Sequence, residues 1–235
     1  MDIKILYEDN HILVCIKPND VLSQAGSMQK QDMVNELKNY IKEKYNKPGN
    51  VFVGLVHRLD LNVSGVMVFA KTSKAASRLS EQIRNHDFTK SYLAIVKGAF
   101  KETKGSYSDY LTKDETKRQA FVTDSSKGKI ADLNYEVLEY NECKDMSLVK
   151  IELITGRFHQ IRCQFSYHNH PLMGDTKYGK IKNNKNFFLG LYAYQLCFNH
   201  PTKKEEMIFN YKPVNNNFTE FKTINKINWR TIWIC

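Results

Sequence analysis

His57-Arg58-Leu59-Asp60-Leu61-Asn62-Val63-Ser64-Gly65, running into Val66-Met67-Val68-Phe69-Ala70-Lys71, sets a carboxylate beside a cation in a tight turn between two apolar segments. Val51 to Val56 leads in and Val66 to Ala70 leads out, so both flanks read as strands. The polar residues then fall where a rigid sheet presents chemistry on a loop. Asp60 suits a catalytic carboxylate there. An Asp in an Asn/Ser/Gly-rich turn equally serves turn chemistry, its side chain accepting from nearby backbone N–H groups, and the turn alone leaves both roles open. A kinase catalytic loop is excluded, because Leu59 breaks the His-Arg-Asp order and neither a Gly-x-Gly-x-x-Gly loop nor Asp-Phe-Gly follows.

Outward from this turn, strand-like stretches recur at Ile12–Ile16, Tyr92–Val96, Phe121–Thr123, Leu133–Leu138, Leu148–Ile154 and Leu191–Phe198, many without an intervening helix. Met33, Leu37, Tyr40, Ile41 and Lys44 recur at helical spacing, and Ser73 is placed to cap a second helix whose Ala76, Leu79 and Ile83 face the core. Strands in runs with two or three helices predict an α+β fold with a largely antiparallel mixed sheet flanked by helices and loops. No repeats are seen. We expect one domain over residues 1–235, with room for two lobes around a central cleft.

Of the 235 residues 42% are hydrophobic, an ordinary globular mixture that can bury a substantial core. Lys plus Arg number 35 against 25 Asp plus Glu, a net charge of +10 that suits a polyanionic partner without demanding one. No apolar stretch reaches 18 residues, and Met1-Asp2-Ile3-Lys4 lacks the pattern of a signal peptide, so the chain reads as cytoplasmic with no membrane partner. The 5 cysteines are scattered without a Cys-x-x-Cys pair, which indicates neither a disulfide framework nor a structural zinc. Cys163, His168 and His170 are close in sequence, but a buried Cys with loop histidines is the plainer account, and no metal site is expected.

Residues 101–129 are rich in Lys, Thr, Ser and Asp, with Lys113, Lys117, Arg118, Lys127 and Lys129, and read either as a basic hairpin that grips RNA or as a solvated loop. Lys180 to Lys185 reads the same way. From Asn215 onward, Phe218, Phe221, Ile227, Trp229, Ile232 and Trp233 are too apolar for a free tail and are expected to pack on the domain.

Taken together with segments elsewhere in the chain, His57 to Lys71 resembles the HRLDxxTSGxxxxAK signature of the RluA-type pseudouridine synthases. Tyr7 to Pro18 resembles that family's DDxxLxVxxKP opening, and Lys90 to Gly98 its KxYxAxVxG strand. Thr155-Gly156-Arg157-Phe158-His159-Gln160-Ile161-Arg162 is similar to its GRTHQIR segment. His170 to Asp175 with Tyr178-Gly179 is similar to HPLxGDxxYG, and Leu191 to Pro201 to the closing LHAxxLxFxHP. Six matches in order cover almost the whole chain, and that context lifts each above a lone motif. Val63 stands where the family usually has Thr, Phe158 where it has Thr or Ser, and Tyr192 where it often has His. No separate amino-terminal RNA-binding module is expected ahead of the motifs.

The resemblance implies the pseudouridine synthase catalytic fold and a chemistry in which the bond from ribose to uracil breaks, the base turns, and the sugar rejoins it at carbon five. It makes Asp60 the catalytic carboxylate, as nucleophile or base. Arg162 becomes the cation that keeps Asp60 ionised against burial, and Tyr92 the ring beside the target base. Arg58 is matched to the residue that enters the space of a flipped nucleotide, and Leu153 is an apolar wall of the uracil pocket. His57, Lys71 and Arg157 join them in contacting substrate or RNA, although a lone His such as His57 more often orients a loop. The expected partner is structured ribosomal or transfer RNA, with no cofactor, no metal, no obligatory protein partner and a monomeric state. Two other classes stand beside this one: a catalytically silent RNA-binding or ribosome-assembly factor, and a hydrolytic glycosidase. The last would need two carboxylates, and no second acid stands out near these motifs.

Overall fold

The computed structural model describes residues 1–26, 31–179, 188–214, 216–229 and 232–233. In chain order its elements begin with β1 (Ile5–Glu8), β2 (Ile12–Lys17), α1 (Met33–Lys44), β3 (Gly54–Leu55), β4 (Ser64–Ala70) and α2 (Ser73–Arg84). Next come β5 (Thr89–Lys97), β6 (Lys104–Asp114), β7 (Gln119–Thr123), β8 (Lys129–Asn141), β9 (Met146–Leu153) and α3 (Gln160–Tyr167). β10 (Leu191–Asn199), β11 (Glu206–Asn210), α4 (Asn216–Thr219) and β12 (Ile232–Trp233) complete the order. Among the described residues the chain forms two compact units, one from 1–89, 195–211 and 232–233, the other from 90–194 and 212–229. The fold is α+β, and the pairs β1–β2, β2–β4, β3–β4, β5–β9, β6–β7, β6–β8, β8–β9, β10–β11 and β11–β12 are antiparallel, in keeping with the largely antiparallel sheet that the sequence pattern predicts.

In the first unit β2 pairs with β4 from Ile12↔Ala70 to Lys17↔Gly65, and β1 lies on the other side of β2. Ile12, Val14, Val66, Val68 and Ala70 form a shared core with Ala75 and Leu79 of α2 and with Phe198, Met207 and Phe209. Near-continuous apolar runs such as Val66–Ala70 arise because both faces of the strand are covered, so nothing selects polar residues at alternate positions. α1 buries Met33, Val34, Leu37 and Ile41, and Asp32 caps it by accepting from the Asn35 N–H. The cap of α2 is Thr72, which accepts from the Ala75 N–H at 3.1 Å, one residue ahead of the expected Ser73.

The strand expected over Val51–Val56 is only the two-residue β3, paired with Ala70 and Phe69. Gly54 is tightly overlaid there: a Cβ on it would meet Phe52 at 3.0 Å and Ala76 at 3.1 Å. The segment therefore runs under side chains instead of along a ladder, and it delivers the chain to the Asp60 turn.

In the second unit β9 is central, paired with β5 on one side and β8 on the other, which accounts for its largely buried side chains. β6 pairs with both β7 and β8, so the basic 101–129 segment is a built hairpin and meander. Leu111, Ala120 and Ala131 from these strands close on Cys163 of α3. Phe218, Phe221 and Ile224 of the carboxy-terminal segment are fully buried, in keeping with its apolar composition, while the backbone of β12 pairs with β11. The basic run at 180–185 lies outside the described residues. No helix of the described residues is long and apolar enough to cross a membrane.

Candidate active site

The Asp60 turn belongs to the first unit, and its backbone is clamped on both sides of the aspartate. Leu59 donates its N–H to Ser23 Oγ at 3.0 Å and accepts the Ser23 hydroxyl on its carbonyl at 2.8 Å. The Leu61 carbonyl accepts from the Lys17 ammonium and from the Asp20 N–H, each at 3.0 Å. Within the turn the Val63 N–H reaches the Asp60 carbonyl at 3.1 Å. Leu59 and Val63 point inward and are buried, leaving Asp60 half-buried between them. Val63 thus replaces the expected hydroxyl with a methyl group that fills the core.

Lys17 ends β2 with no exposed surface, and its three donors are met by the carbonyls of Pro18, Val21 and Leu61 at 2.8, 2.7 and 3.0 Å. Burial pushes its pKa down to about 8, against the opposing pull of Asp60 and Asp20. A cation whose field reaches Asp60 is therefore built into the same unit as the turn.

The remaining candidates of this unit divide. Arg58 is exposed. His57 accepts the Val68 N–H on Nε2 at 3.1 Å and packs against Phe88, so its ring is tied to β4 and the proton of the neutral form sits on Nδ1. The ammonium of Lys71 is bound to Glu8 at 2.6 Å, alongside Lys44 at 2.6 Å and the hydroxyls of Tyr40 and Tyr45 at 3.0 Å. Burial alone would raise Glu8; the two ammonium groups and two phenols outweigh it and hold the carboxyl at about 2. Lys71 is thus engaged in fastening the end of β4 to β1.

In the second unit Tyr92 is buried on β5 opposite Ile151, and Leu153 on β9 opposes Lys90. Side chains alternate along a strand and cross-strand partners share a side, so Lys90, Tyr92, Ile151 and Leu153 line one face. Past Leu153 the chain turns through residues 155–159 into α3. Gln160 stitches this loop: its Oε1 accepts from the Thr155 hydroxyl and the Arg157 N–H, both at 2.9 Å, and its Nε2 donates to the Asp132 carbonyl at 3.1 Å. Arg157 is exposed, with Nε donating to the Ile130 carbonyl at 2.8 Å.

Arg162 is nearly buried on α3 and forks onto Asp175, with Nε at 2.7 Å from one carboxylate oxygen and Nη2 at 2.8 Å from the other. The backbone N–H groups of Lys177 and Tyr178 also bind Asp175. Burial would raise Asp175, and the Arg162 fork with these N–H groups instead brings it below its ordinary value. Asp175 is thus the acid that pairs with Arg162 in the described structure. It lay unassigned in the quoted HPLMGD loop, and thirteen residues of sequence hid its pairing with Arg162.

Arg162 Nη1 can only donate, so His159 Nε2 accepts it at 3.2 Å and His159 Nδ1 donates to Tyr178 Oη at 2.9 Å. That phenol also accepts the Ala120 N–H at 2.6 Å, and burial raises its pKa to about 12. The Tyr178 ring lies under the guanidinium, 5.2 Å from its central carbon. Phe158, where the family carries a hydroxyl, stacks on His159 at 3.8 Å and has Lys113 4.8 Å over its ring. His159 and Tyr178, like Asp175 and Lys17, sit in quoted motifs, yet only their contacts reveal what they hold.

Residues 11–167 match the family model described as RNA pseudouridylate synthase. The chain belongs to that family. It is 35% identical over 83% of its length to "Ribosomal large subunit pseudouridine synthase D" of Borreliella burgdorferi, of which it spans 60%. It is 33% identical over 94% of its length to the protein of the same name from Vibrio cholerae, spanning 70% of that relative. Among solved structures, human RNA pseudouridylate synthase domain containing 1 matches with a TM-score of 0.70 and 25% identity, covering 90% of this chain and 84% of the other. Asp60 and Arg162 both lie within the matched residues, as do Tyr92 and Leu153.

Proposed function

We propose that this RNA pseudouridylate synthase family member isomerises a specific uridine of ribosomal or transfer RNA to pseudouridine, with Asp60 as its catalytic carboxylate. The observation that carries the reading is the Asp60 turn, a carboxylate half-exposed on a backbone that Ser23 and Lys17 hold from both sides, inside the family match. A group that must meet a sugar carbon within a fraction of an ångström benefits from such a fixed mount.

The reaction breaks the bond between the anomeric carbon and uracil N1, leaving the electron pair on the base, and forms the bond from that carbon to C5. C5 loses its hydrogen as a proton and N1 gains one, so no oxidant or reductant is consumed. Asp60 acts at the sugar, by attack or by removing a sugar proton. Arg162 is the catalytic cation of the reaction, and the Asp175, His159 and Tyr178 contacts fix where its guanidinium stands. The Tyr92 ring flanks the extruded base with Leu153 as an apolar wall, its hydroxyl serving proton movement at C5. Arg58, exposed beside the turn, fills the space of the flipped nucleotide, and Arg157 meets RNA backbone. The enzyme acts as a monomer in the cytoplasm, where these RNAs are found.

The test is a pseudouridine map of cells lacking the gene, then restored with the wild type or with Asp60→Asn. A site that disappears on deletion and returns only with the wild type is expected; return with Asp60→Asn overturns the assignment.

A further inference from the structure

Buried ammonium groups in this protein are compensated. Lys17 spends three donors on three carbonyls, and Lys71 meets Glu8 at 2.6 Å. Lys90 differs. It is half-buried at the start of β5, and among the described residues its ammonium has no hydrogen bond, no carboxylate within ion-pair distance and no aromatic ring beneath it. Burial accordingly lowers its pKa with no opposing partner.

Its position is defined. Lys90 shares a sheet face with Tyr92, two residues on, and with its cross-strand partner Leu153. Its side chain runs to the loop before α3, where a Cβ added to Gly156 would stand 3.2 Å from Nζ. The glycine of the Gly-Arg-Phe-His segment is thus kept bare above an ammonium whose three donors are unspent. A desolvated full charge is better offset by an anion than by a neutral carbonyl.

We propose that Lys90 is an RNA-binding residue whose ammonium takes a phosphate oxygen of the nucleotide that Tyr92 receives. This rests on the reading of the protein as a pseudouridine synthase. Along β5 the two side chains are separated by roughly 6.8 Å, so a base beside Tyr92 and its own phosphate beside Lys90 can be held together. The unpaired cation is then a cost carried by the free protein and relieved on binding.

The experiment compares wild type, Lys90→Met and Lys90→Arg on RNA purified from cells lacking the gene, measuring kcat/KM for pseudouridine formation and filter-binding affinity over a salt series. Lys90→Met is expected to reduce the magnitude of the log–log salt slope by about 0.7 to 0.9, the value of one phosphate contact, while Lys90→Arg retains the wild-type slope. Lys90→Met should also melt at the same temperature as wild type or higher, because a half-buried cation without a partner among the described residues has been removed. Equal slopes for wild type and Lys90→Met, or a lower melting temperature for Lys90→Met, overturn the assignment. Failure of the wild type to form pseudouridine sinks the underlying enzymatic reading instead, and the binding slopes still decide on Lys90.

Discussion

The Asp60 turn and the Arg162 loop are held by opposite means. Around Asp60 the fixing contacts end on backbone atoms: Ser23 grips the N–H and carbonyl of Leu59, and Lys17 the carbonyl of Leu61. Around Arg162 they run from side chain to side chain, through Asp175, His159 and Tyr178. The first scheme fixes where the chain goes, through backbone atoms on either side of the aspartate. The second fixes a charged group itself, at the expense of some of its donors. A reactive group and a supporting group therefore call for different mounts.

Four substitutions or titrations break or sharpen that contrast. The largest effect is expected from Asp60→Asn, which removes the reactive group but touches no clamp: turnover should fall by on the order of 10^4-fold or more while the melting temperature stays near that of wild type. A folded mutant with substantial turnover would show that the rigid turn serves something other than catalysis. Asp175→Ala comes next. It removes the carboxylate that forks the nearly buried Arg162 guanidinium and should cost about 3–5 kcal/mol in urea unfolding together with a loss of rate, as breaking one side of a buried pair does. Unchanged stability would mean that Arg162 has another partner of equal strength.

Lys17→Met attacks the backbone mount instead. Three carbonyls lose the Lys17 donor, so about 1–3 kcal/mol of stability should go, with a lower kcat and an unchanged RNA affinity. A fall in affinity with kcat intact would reverse the assignment of Lys17 to the turn. The smallest effect lies outside both regions. Glu8 has a folded pKa of about 2 against an ordinary 4.5, so its contribution is present above pH 4.5 and is lost as the pH falls towards 2. The acid limb of the melting temperature should flatten over that interval in Glu8→Gln, and a limb identical to wild type would deny the Lys44–Glu8–Lys71 cluster a role in stability.

Much of this was legible in local pattern. The apolar run Val66–Ala70, the helical spacing of Met33, Leu37 and Ile41, and the strand at Tyr92 each appear where sequence places them, because burial on a regular element imposes a period of its own. The solvent-facing polar residues of β6, as in Lys104 to Ser108, leave a hairpin and a solvated loop both open; its partners β7 and β8 make it a strand. The Val51–Val56 stretch erred the other way, since apolar content alone does not supply a neighbour to pair with.

For the candidate site, sequence by itself determined the family, the turn that carries Asp60 and the strand positions of Tyr92 and Leu153, all of which are carried by residue type and short spacing. Only the tertiary structure decided that Arg162 forks onto Asp175, that Lys17 is buried under the Asp60 turn and that Lys90 has no partner among the described residues. Which groups share a charge depends on where distant segments are brought together and how completely water is removed from between them, and neither is written in the spacing of any one motif.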